Sequence, residues 1–294
     1  MQDLNEAISP GREAQNLYPQ GHPDQSTILN NFVSYLSTRY EQLGAIHDLD
    51  AAIVLYQEAP DLLPMRHPGR STSLNNLMVQ LSIQCDQLRT LQDLNVAITL
   101  SQEAVEPCPQ GNLDRSGFLV DLAVRLSTRY DHVGEMQDLD EALDEAIVLI
   151  REVVGLRPEG HPFRSRALSN LGEYSFTRYE QVGTMQDLDE AIVTSHEALH
   201  LRPHGHPLRY HSLNHLSTGL LARHKQFGAM QDLDEAISLS REALDLCPHG
   251  HPDRRLPLNN LTLGLSTRYK RIGVMWDLDE AIVFDREALD LGFE

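Results

Sequence analysis

The chain has few cysteines, few aromatic residues, almost no lysine and no long apolar run. Its three cysteines, Cys85, Cys108 and Cys247, are far apart and in no CxxC pattern, so they indicate neither a disulfide framework nor a zinc-ligand set. No apolar run approaches the roughly 18 residues of a membrane span, and the N-terminus has no basic start or apolar segment of a secretory signal. We therefore expect reduced thiols in a cytoplasmic protein without a membrane partner.

Positive charge is scarce as well. The chain has 24 basic against 43 acidic residues, for a net charge of −19, and only Lys225 and Lys270 are lysines. Such a chain repels phosphate backbones and anionic lipid, which argues against nucleic acid or a membrane surface as partner. It would suit a basic partner.

Sequence signatures of catalysis are lacking too. There is no GxxxxGK(S/T) phosphate loop, and no nucleophile sits beside a recognisable motif. We expect a protein that is not an enzyme and needs no cofactor.

What the chain does have is repetition. The stretch "RYEQVGTMQDLDEAI" at 178–192 is rewritten with small changes at 39, 129, 223 and 268. Its (M/I/L)-x-D-L anchor recurs every 45 residues, except for one spacing of 49 that contains the duplication "DEALDEAI" at 140–147. A fixed period of this length is typical of arrays that grow by adding units.

The first half of each period predicts a helix, expected over 164–182 and, more clearly, over 29–43. In the second of these, apolar residues recur at spacings of three and four, which places them on one side of a helix. A glycine follows at the position where a helix commonly ends in a left-handed residue. These glycines are Gly44, Gly134, Gly183, Gly228 and Gly273.

The second half predicts another helix over 187–202. Asp187 is expected to be its N-cap, with Glu190 completing a capping box. Ala191 and Ala198 share a face and recur in other copies, so we expect them to let a neighbouring helix approach closely. Pro203 ends the helix, and "GHP" makes a tight turn in which we expect the histidines to be cap or turn residues. They are His22, His67, His161, His206 and His251.

Leu171-Gly172, followed by Ala191, Ala198 and Pro203, resembles the signature of the tetratricopeptide repeat. The long period, "LNNL" and "GHP" look like the kinesin-light-chain type, and like the arrays beside CHAT or nucleotide-binding domains in fungal proteins. The resemblance implies an all-α protein, a right-handed α-solenoid of about 13 helices over 1–294. We expect a lone helix at 1–19, then six helix-pair units, one with a four-residue insertion near 140–147, all part of a longer protein.

The resemblance also implies that the first helices line a concave groove that binds an extended peptide or protein segment. An asparagine amide both donates and accepts hydrogen bonds, so a row of them could pair with a peptide backbone. Alternatively, these asparagines bond locally or face solvent. The candidate residues are Asn31, Asn76, Asn170 and Asn260, with Asn30, Asn75, Asn214, Asn259, Thr38 and Thr177 around them.

Recurring arginines allow two interpretations. Their guanidinium groups could fork onto an acidic peptide, or they could pair with the acidic residues at the starts of the second helices. We favour the second, structural interpretation. The residues are Arg39, Arg129, Arg178, Arg223 and Arg268.

Histidines one helical turn apart are a weak candidate for a metal site, because two such imidazoles can chelate Zn²⁺ or Cu²⁺. Drift on a solvated surface explains them better, and we predict no metal. The candidates are His196, His200, His211 and His215.

Two functions remain open at the level of sequence. The chain is expected to be a protein-interaction scaffold, or alternatively a regulatory segment that packs on another domain of a larger signalling, CHAT or nucleotide-binding protein. Self-association through uncapped ends is a further possibility, because arrays normally need polar caps for solubility.

Overall fold

The structure is a computed structural model that describes residues 25–44, 47–48, 51, 54, 91–106, 108, 113–133 and 138–291. Its regular elements are all α-helices, and no strand occurs in these ranges. The all-α prediction is confirmed. The expected count of about 13 helices is not matched, since the described ranges hold ten; the expected helix at 1–19 lies outside them.

The helices are α1 (Gln25–Leu43), α2 (Leu91–Val105), α3 (Leu113–Val133), α4 (Asp138–Leu156), α5 (Arg164–Val182), α6 (Met185–His200), α7 (Arg209–Phe227), α8 (Met230–Leu246), α9 (Arg255–Ile272) and α10 (Met275–Asp290).

The chain divides into an N-terminal unit, Met1–Leu156, and a C-terminal unit, Arg157–Glu294. In the N-terminal unit, α3 packs against both α2 and α4. Buried leucines and isoleucines of α3 and α4 form much of its core, among them Leu119, Leu126, Leu143 and Ile147.

The C-terminal unit consists of three helix hairpins, α5–α6, α7–α8 and α9–α10, and each hairpin packs against the next. The first helix of a hairpin ends in a left-handed glycine, such as Gly183 at φ 75° or Gly228 at φ 72°. The amide of Gly183 donates to the carbonyl of Tyr179 at 2.8 Å. The predicted glycine stops are confirmed at 44, 183, 228 and 273, whereas Gly134 lies outside the described residues.

The predicted start of the second helix is wrong. The helix α6 begins at Met185 with Thr184 as its N-cap, and no side chain caps it. Asp187 lies in the first turn, buried, and accepts both arms of the Arg178 guanidinium. The arginine fork gives the carboxylate two charge-assisted hydrogen bonds and a full opposite charge, more than a backbone amide at a cap offers. Glu190 likewise closes no capping box and instead accepts from the Ser175 hydroxyl at 2.7 Å.

Two glycines allow successive hairpins to approach closely. A Cβ on Gly219 would lie 2.9 Å from Ile192 Cγ1, and one on Gly264 would lie 2.8 Å from Ile237 Cγ1. Each glycine therefore receives the isoleucine of the preceding second helix. The small alanines on the described parts of α2, α6, α8 and α10 are buried, which agrees with the packing role expected for them.

Candidate protein-interaction surface

The first helices of the C-terminal unit form one layer. In this unit α7 packs directly against α5 and α9, while no two second helices pack together to a comparable extent within the described residues. The first helices therefore lie closer to one another than the second helices do. The second helices cover one side of the layer of first helices.

On its other side, each first helix presents five exposed or half-buried residues at spacings of four, three, four and three, which is one face of a helix. We call these fifteen residues the first-helix stripe. They are Arg166, Asn170, Glu173, Thr177 and Glu180 on α5; His211, His215, Thr218, Ala222 and Lys225 on α7; and Leu256, Asn260, Leu263, Thr267 and Lys270 on α9.

The predicted asparagine row crosses the stripe at one level, where α5, α7 and α9 carry Asn170, His215 and Asn260. Asn170 makes no hydrogen bond within the described residues. Asn260 is partly engaged: its Nδ2 donates to Thr218 Oγ1 at 3.1 Å and more weakly to the Asn214 carbonyl at 3.4 Å. One amide of the row is thus available, and another holds two neighbouring first helices together.

The other predicted asparagines lie in different surroundings. Asn31 in the N-terminal unit and Asn259 are exposed, whereas Asn214 is buried, with both polar atoms of its amide lacking a partner among the described residues. Asn214 is therefore out of reach of a surface ligand. The side chains of Asn30, Asn75 and Asn76 lie outside the described residues.

The predicted threonines bond within their own helices. The Thr38 hydroxyl donates to the Ser34 carbonyl at 2.9 Å, and the Thr177 hydroxyl donates to the Glu173 carbonyl at 3.0 Å. Each thus uses its hydrogen on the preceding turn, which leaves a methyl group and acceptor lone pairs for anything that approaches the stripe.

Histidines and a tyrosine cluster beside the row. The ring centroids of His211 and His215 lie 5.9 Å apart, and that of Tyr210 lies 4.6 Å from His211 and 4.9 Å from His251. Burial lowers the pKa of His215 to about 4, assisted by the charges of His211 and Arg202. The phenol of Tyr210 donates a hydrogen bond to Asp253 at 2.6 Å. Burial, and to a smaller extent this hydrogen bond, raise the pKa of Tyr210 to about 12.

Metal binding gains no support from this cluster. Within the described ranges, no group of three or more histidine, cysteine, aspartate or glutamate side chains could hold a metal ion. His196 is exposed, and its Nε2 lies 3.7 Å from a carboxylate oxygen of Glu235.

The histidines of the G-H-P turns cap their own loops. His161, His206 and His251 each accept a hydrogen bond from the backbone amide two residues on. His22 and His67 lie outside the described residues.

The recurring arginines pair with the first turn of the following helix, as predicted. Arg223 donates to both carboxylate oxygens of Asp232 at 2.8 and 2.7 Å, and Arg268 does the same with Asp277 at 2.8 Å for each contact. Arg39 and Arg178 make equivalent forks with the aspartates nine residues on. These pairs fix the angle of the hairpin and consume the guanidinium donors. The partner expected for Arg129 has its side chain outside the described residues.

Sequence reasoning missed a second set of arginines, at the start of each first helix. Arg209 donates from Nε to Glu242 at 2.6 Å and from Nη1 to the carbonyl of Arg202 at 2.6 Å. Arg164 and Arg254 make the same two contacts with the glutamate 33 residues on and the carbonyl seven residues back. The signal was present, because each of the three follows the motif G-H-P-x.

In the N-terminal unit, the same contact spans a longer stretch. Arg115 donates to Glu152 at 2.8 Å, over 37 residues rather than 33, and to the carbonyls of Val105 and Cys108. The four additional residues lie within α4, whose 19 residues include the duplication at 140–147.

A buried arginine holds the turn between hairpins. Arg202 is 2% exposed, and burial lowers its pKa. Its Nη1 donates to Ser212 Oγ at 2.9 Å and to the Leu208 carbonyl at 3.2 Å, and its Nη2 donates to the Ser165 carbonyl at 3.2 Å. It therefore ties two successive first helices to the turn between them.

The composition of the stripe changes from helix to helix. Lys225 and Lys270, the only lysines of the chain, are exposed at the same turn of α7 and α9, where α5 has Glu180. Leu256 and Leu263 are exposed on α9. Acidic, imidazole and apolar groups therefore follow one another across the stripe, with the two lysines at one edge and Arg166 near the other.

None of the described helices combines the length and apolarity needed to cross a membrane.

No protein-family model matches the sequence, and no curated protein matches it significantly. Solved structures do resemble it. The C-terminal part of a TPR repeat-containing protein from Cytophaga hutchinsonii matches with a TM-score of 0.62 at 14% identity, covering 98% of this chain and 94% of that one. A Podosopora anserina putative kinesin light chain with nearly identical TPR-like repeats matches with a TM-score of 0.53 at 17% identity, covering 75% and 97%.

A third similar structure is part of an APC/C hetero-tetramer, Cut9–Hcn1, with a TM-score of 0.52 at 13% identity, covering 98% of this chain and 45% of that chain. The stacked hairpins, their glycine-terminated first helices and these structures together show that the chain has the tetratricopeptide-repeat fold, including the form seen in kinesin-light-chain-like structures.

Proposed function

We propose that the protein is an interaction scaffold that binds an extended segment of another protein across the first-helix stripe. One observation carries this proposal: α5, α7 and α9 lie side by side and align fifteen accessible residues. These residues differ from hairpin to hairpin, whereas the core positions repeat. In repeat proteins, the residues that bind a partner lie on a surface that varies from repeat to repeat, while the core residues stay the same.

The curvature of the array supports the same surface. Closer spacing of first helices than of second helices places the first helices on the concave side. The resemblance to tetratricopeptide repeats, whose right-handed coils line a concave groove with their first helices, leads to the same surface. A concave surface surrounds an extended segment and buries more of it than a flat one does. The solved Cut9–Hcn1 structure is an assembly of different protein chains, which is consistent with a protein partner here.

The chemistry of the stripe defines the segment that fits. Asn170 offers a free amide to a peptide backbone, and Leu256 with Leu263 offers apolar contact. Lys225 and Lys270 attract a carboxylate, which is selective because the rest of the chain is so acidic. The expected partner segment is therefore extended, with an apolar side chain over α9 and an acidic residue near the two lysines.

Peptides selected from a random display library against the full chain would test this proposal. Their affinities are then measured for a stripe variant, Asn170→Ala with Lys225→Glu and Lys270→Glu, by fluorescence anisotropy. We expect the stripe variant to bind at least tenfold more weakly than the unaltered chain. Binding to the unaltered chain should also weaken as the salt concentration is raised, because salt screens exposed charge pairs.

The matched control alters exposed residues of the second helices, Val193→Ala with Val283→Ala. These substitutions lie on the opposite layer and should leave affinity unchanged. Equal loss in both variants, or no loss in the stripe variant, would place the binding surface elsewhere.

A further inference from the structure

The imidazole of His215 lies on α7, the central helix of the first-helix stripe, and its two nitrogens have different surroundings. Nδ1 is buried and has no hydrogen-bond partner in the part of the chain that the structure describes, whereas Nε2 is not buried in this way. A hydrogen on Nδ1 would therefore be a buried donor without an acceptor, which is costly. The structure thus favours the neutral imidazole that carries its hydrogen on Nε2, where a bound partner can accept it.

The charges around His215 hold the ring in this neutral form. They come from His211, one turn earlier on α7, and from Arg202 in the turn before this helix, and both disfavour a further positive charge. The carboxylate of Asp253 acts on His211 but has no such effect on His215. At neutral pH, His215 is therefore a donor from Nε2, whereas an asparagine in its place would both donate and accept.

Asn260 on α9 has the opposite role. Its Nδ2 donates to Thr218 Oγ1 at 3.1 Å and to the carbonyl of Asn214 at 3.4 Å, so both amide hydrogens have acceptors. The Thr218 hydroxyl has a single hydrogen, and its oxygen lies nearer to the Asn214 carbonyl, at 3.0 Å, than to Asn260 Oδ1, at 3.4 Å. Oδ1 of Asn260 therefore keeps lone pairs for another donor.

The donor and the acceptor lie close together over α7. The amide of Asn260 contacts Thr218, which is three residues after His215. Residues at this spacing share one face of a helix, with their Cβ atoms about 5–6 Å apart. An available hydrogen and an available lone pair within one helical turn match the C=O and N–H groups that every residue of a peptide other than proline carries.

We propose that His215 and Asn260 together recognise main-chain amides of the bound segment, with Nε2–H of His215 donating to a carbonyl oxygen and Oδ1 of Asn260 accepting from an N–H group. This inference rests on the proposed function of the first-helix stripe and specifies the chemistry at its centre. A carboxylate does not suit this pair, because Asn260 offers it only an oxygen. An ammonium group does not suit it either, because His215 offers it only a hydrogen.

The nitrogen chemical shifts of the imidazoles test the first step in the absence of any partner. In long-range ¹H–¹⁵N NMR spectra of the full chain at neutral pH, with His215 assigned through His215→Gln, we expect its hydrogen on Nε2. His224 is the internal control of the opposite form, because its Nδ1 lies 2.7 Å from the Ala229 carbonyl and must donate to it. A hydrogen on Nδ1 of His215, or an equal mixture of the two forms, would overturn the proposal whether or not a partner binds.

Peptides selected by display against the full chain test the contact itself. His215→Gln keeps an N–H donor with a similar reach, whereas His215→Phe keeps a ring without a donor. We expect the phenylalanine variant to bind about tenfold more weakly than the unaltered chain, and the glutamine variant to bind within about threefold of it. His204→Phe, at a turn histidine whose side chain is 86% exposed, should leave the affinity unchanged. Circular dichroism checks that all three variants remain helical.

Replacing single peptide bonds of the selected peptide with esters removes one N–H group at a time. One such ester should weaken binding to the unaltered chain by about tenfold, and it should have little further effect on Asn260→Ala, which has already lost the acceptor. Equal affinities of the phenylalanine and glutamine variants, or an ester scan in which no position depends on Asn260, would overturn this inference and leave the proposed function standing. A selection in which no peptide depends on the stripe would contradict both.

Discussion

Arg209 and Glu242 are 33 residues apart in sequence, and their side chains meet at 2.6 Å. The same guanidinium also donates to the carbonyl of Arg202, in the turn that follows the preceding second helix. One side chain thus joins its own helix, the helix that follows and the turn between hairpins, because its fork carries several donors in a fixed plane. The three hairpins of the C-terminal unit each have such an arginine at the same position.

Replacing this arginine with lysine should destabilise the fold without changing the charge. Lysine cannot reach a carboxylate and a carbonyl with one planar group, so Arg209→Lys is expected to lower the free energy of unfolding by about 2 kcal/mol. Urea denaturation at neutral pH measures the effect. Arg255→Lys, at an exposed arginine of α9, is the matched control and should change stability little. Equal stability of the two variants would contradict the role of Arg209.

Gly264 should tolerate no side chain. The Cβ of Gly264→Ala would lie 2.8 Å from Ile237 Cγ1, and overpacking of a fixed core costs about 1–3 kcal/mol. Gly117→Ala on α3 is the control, since a Cβ there meets nothing within 4 Å and alanine favours a helix by up to about 1 kcal/mol. The two alanine variants should shift the thermal midpoint in opposite directions, and a stabilising Gly264→Ala would refute the close approach.

Asp277 should make the fold sensitive to acid. The hydrogen bond from Arg268 lowers the pKa of this carboxyl, against the opposing effect of burial. A carboxylate with a depressed folded-state pKa adds stability above its unfolded pKa of about 3.9, and loses it as the pH falls through the folded pKa. At neutral pH, Asp277→Asn should cost about 2–3 kcal/mol, since a largely buried ion pair is broken.

The difference between wild type and Asp277→Asn should shrink at a pH below about 4. Urea denaturation series at several pH values would show this, with the exposed Asp279→Asn as control. A difference that stays constant from pH 7 to pH 2 would show that the effect is one of packing rather than charge.

His215 should act in a different window of pH. Its pKa is lowered to about 4, mainly by burial, while the unfolded value is about 6.5. Folding thus favours the neutral form of His215. The contribution of this form to the stability of the fold is fully present above pH 6.5 and is lost as the pH falls toward 4. The loss amounts to at most about 3 kcal/mol.

Asparagine, which α5 and α9 carry at the same level, is the natural substitution. His215→Asn should remove the decline in stability between pH 6.5 and pH 4, as measured by thermal unfolding, whereas His204→Asn, at a turn histidine whose side chain is 86% exposed, should retain it. If His215→Asn kept the full decline, another group would be responsible.

Local patterns were sufficient for the helices and their ends. The first helix expected over 164–182 is α5, and the glycine stops lie where the sequence put them. The second helix was misplaced by two residues, because Asp187 and Glu190 match a capping box equally well when they serve other partners. The pairing of the recurring arginines was favoured from charge alone, because the starts of the second helices are so acidic; the structure adds that each described pair is a fork.

The candidate surface was harder to predict. Asn214 and Asn170 look equivalent as letters in a polar segment, yet the first is buried and the second is half exposed. Which of them faces the solvent depends on how the neighbouring first helices pack against α5 and α7. The hydrogen bond between Asn260 and Thr218 joins residues 42 positions apart in the sequence. No local sequence pattern indicates such a contact.

By itself, the sequence indicated the repeat, the type and approximate bounds of the helices, and the pairing of the recurring arginines with acidic residues at the starts of second helices. These follow from forces that act within one or two turns of chain. Only the tertiary structure decided which side of each first helix is open, which asparagines are free, and that Gly219 and Gly264 pack on Ile192 and Ile237. Those properties depend on the stacking of one hairpin upon the next.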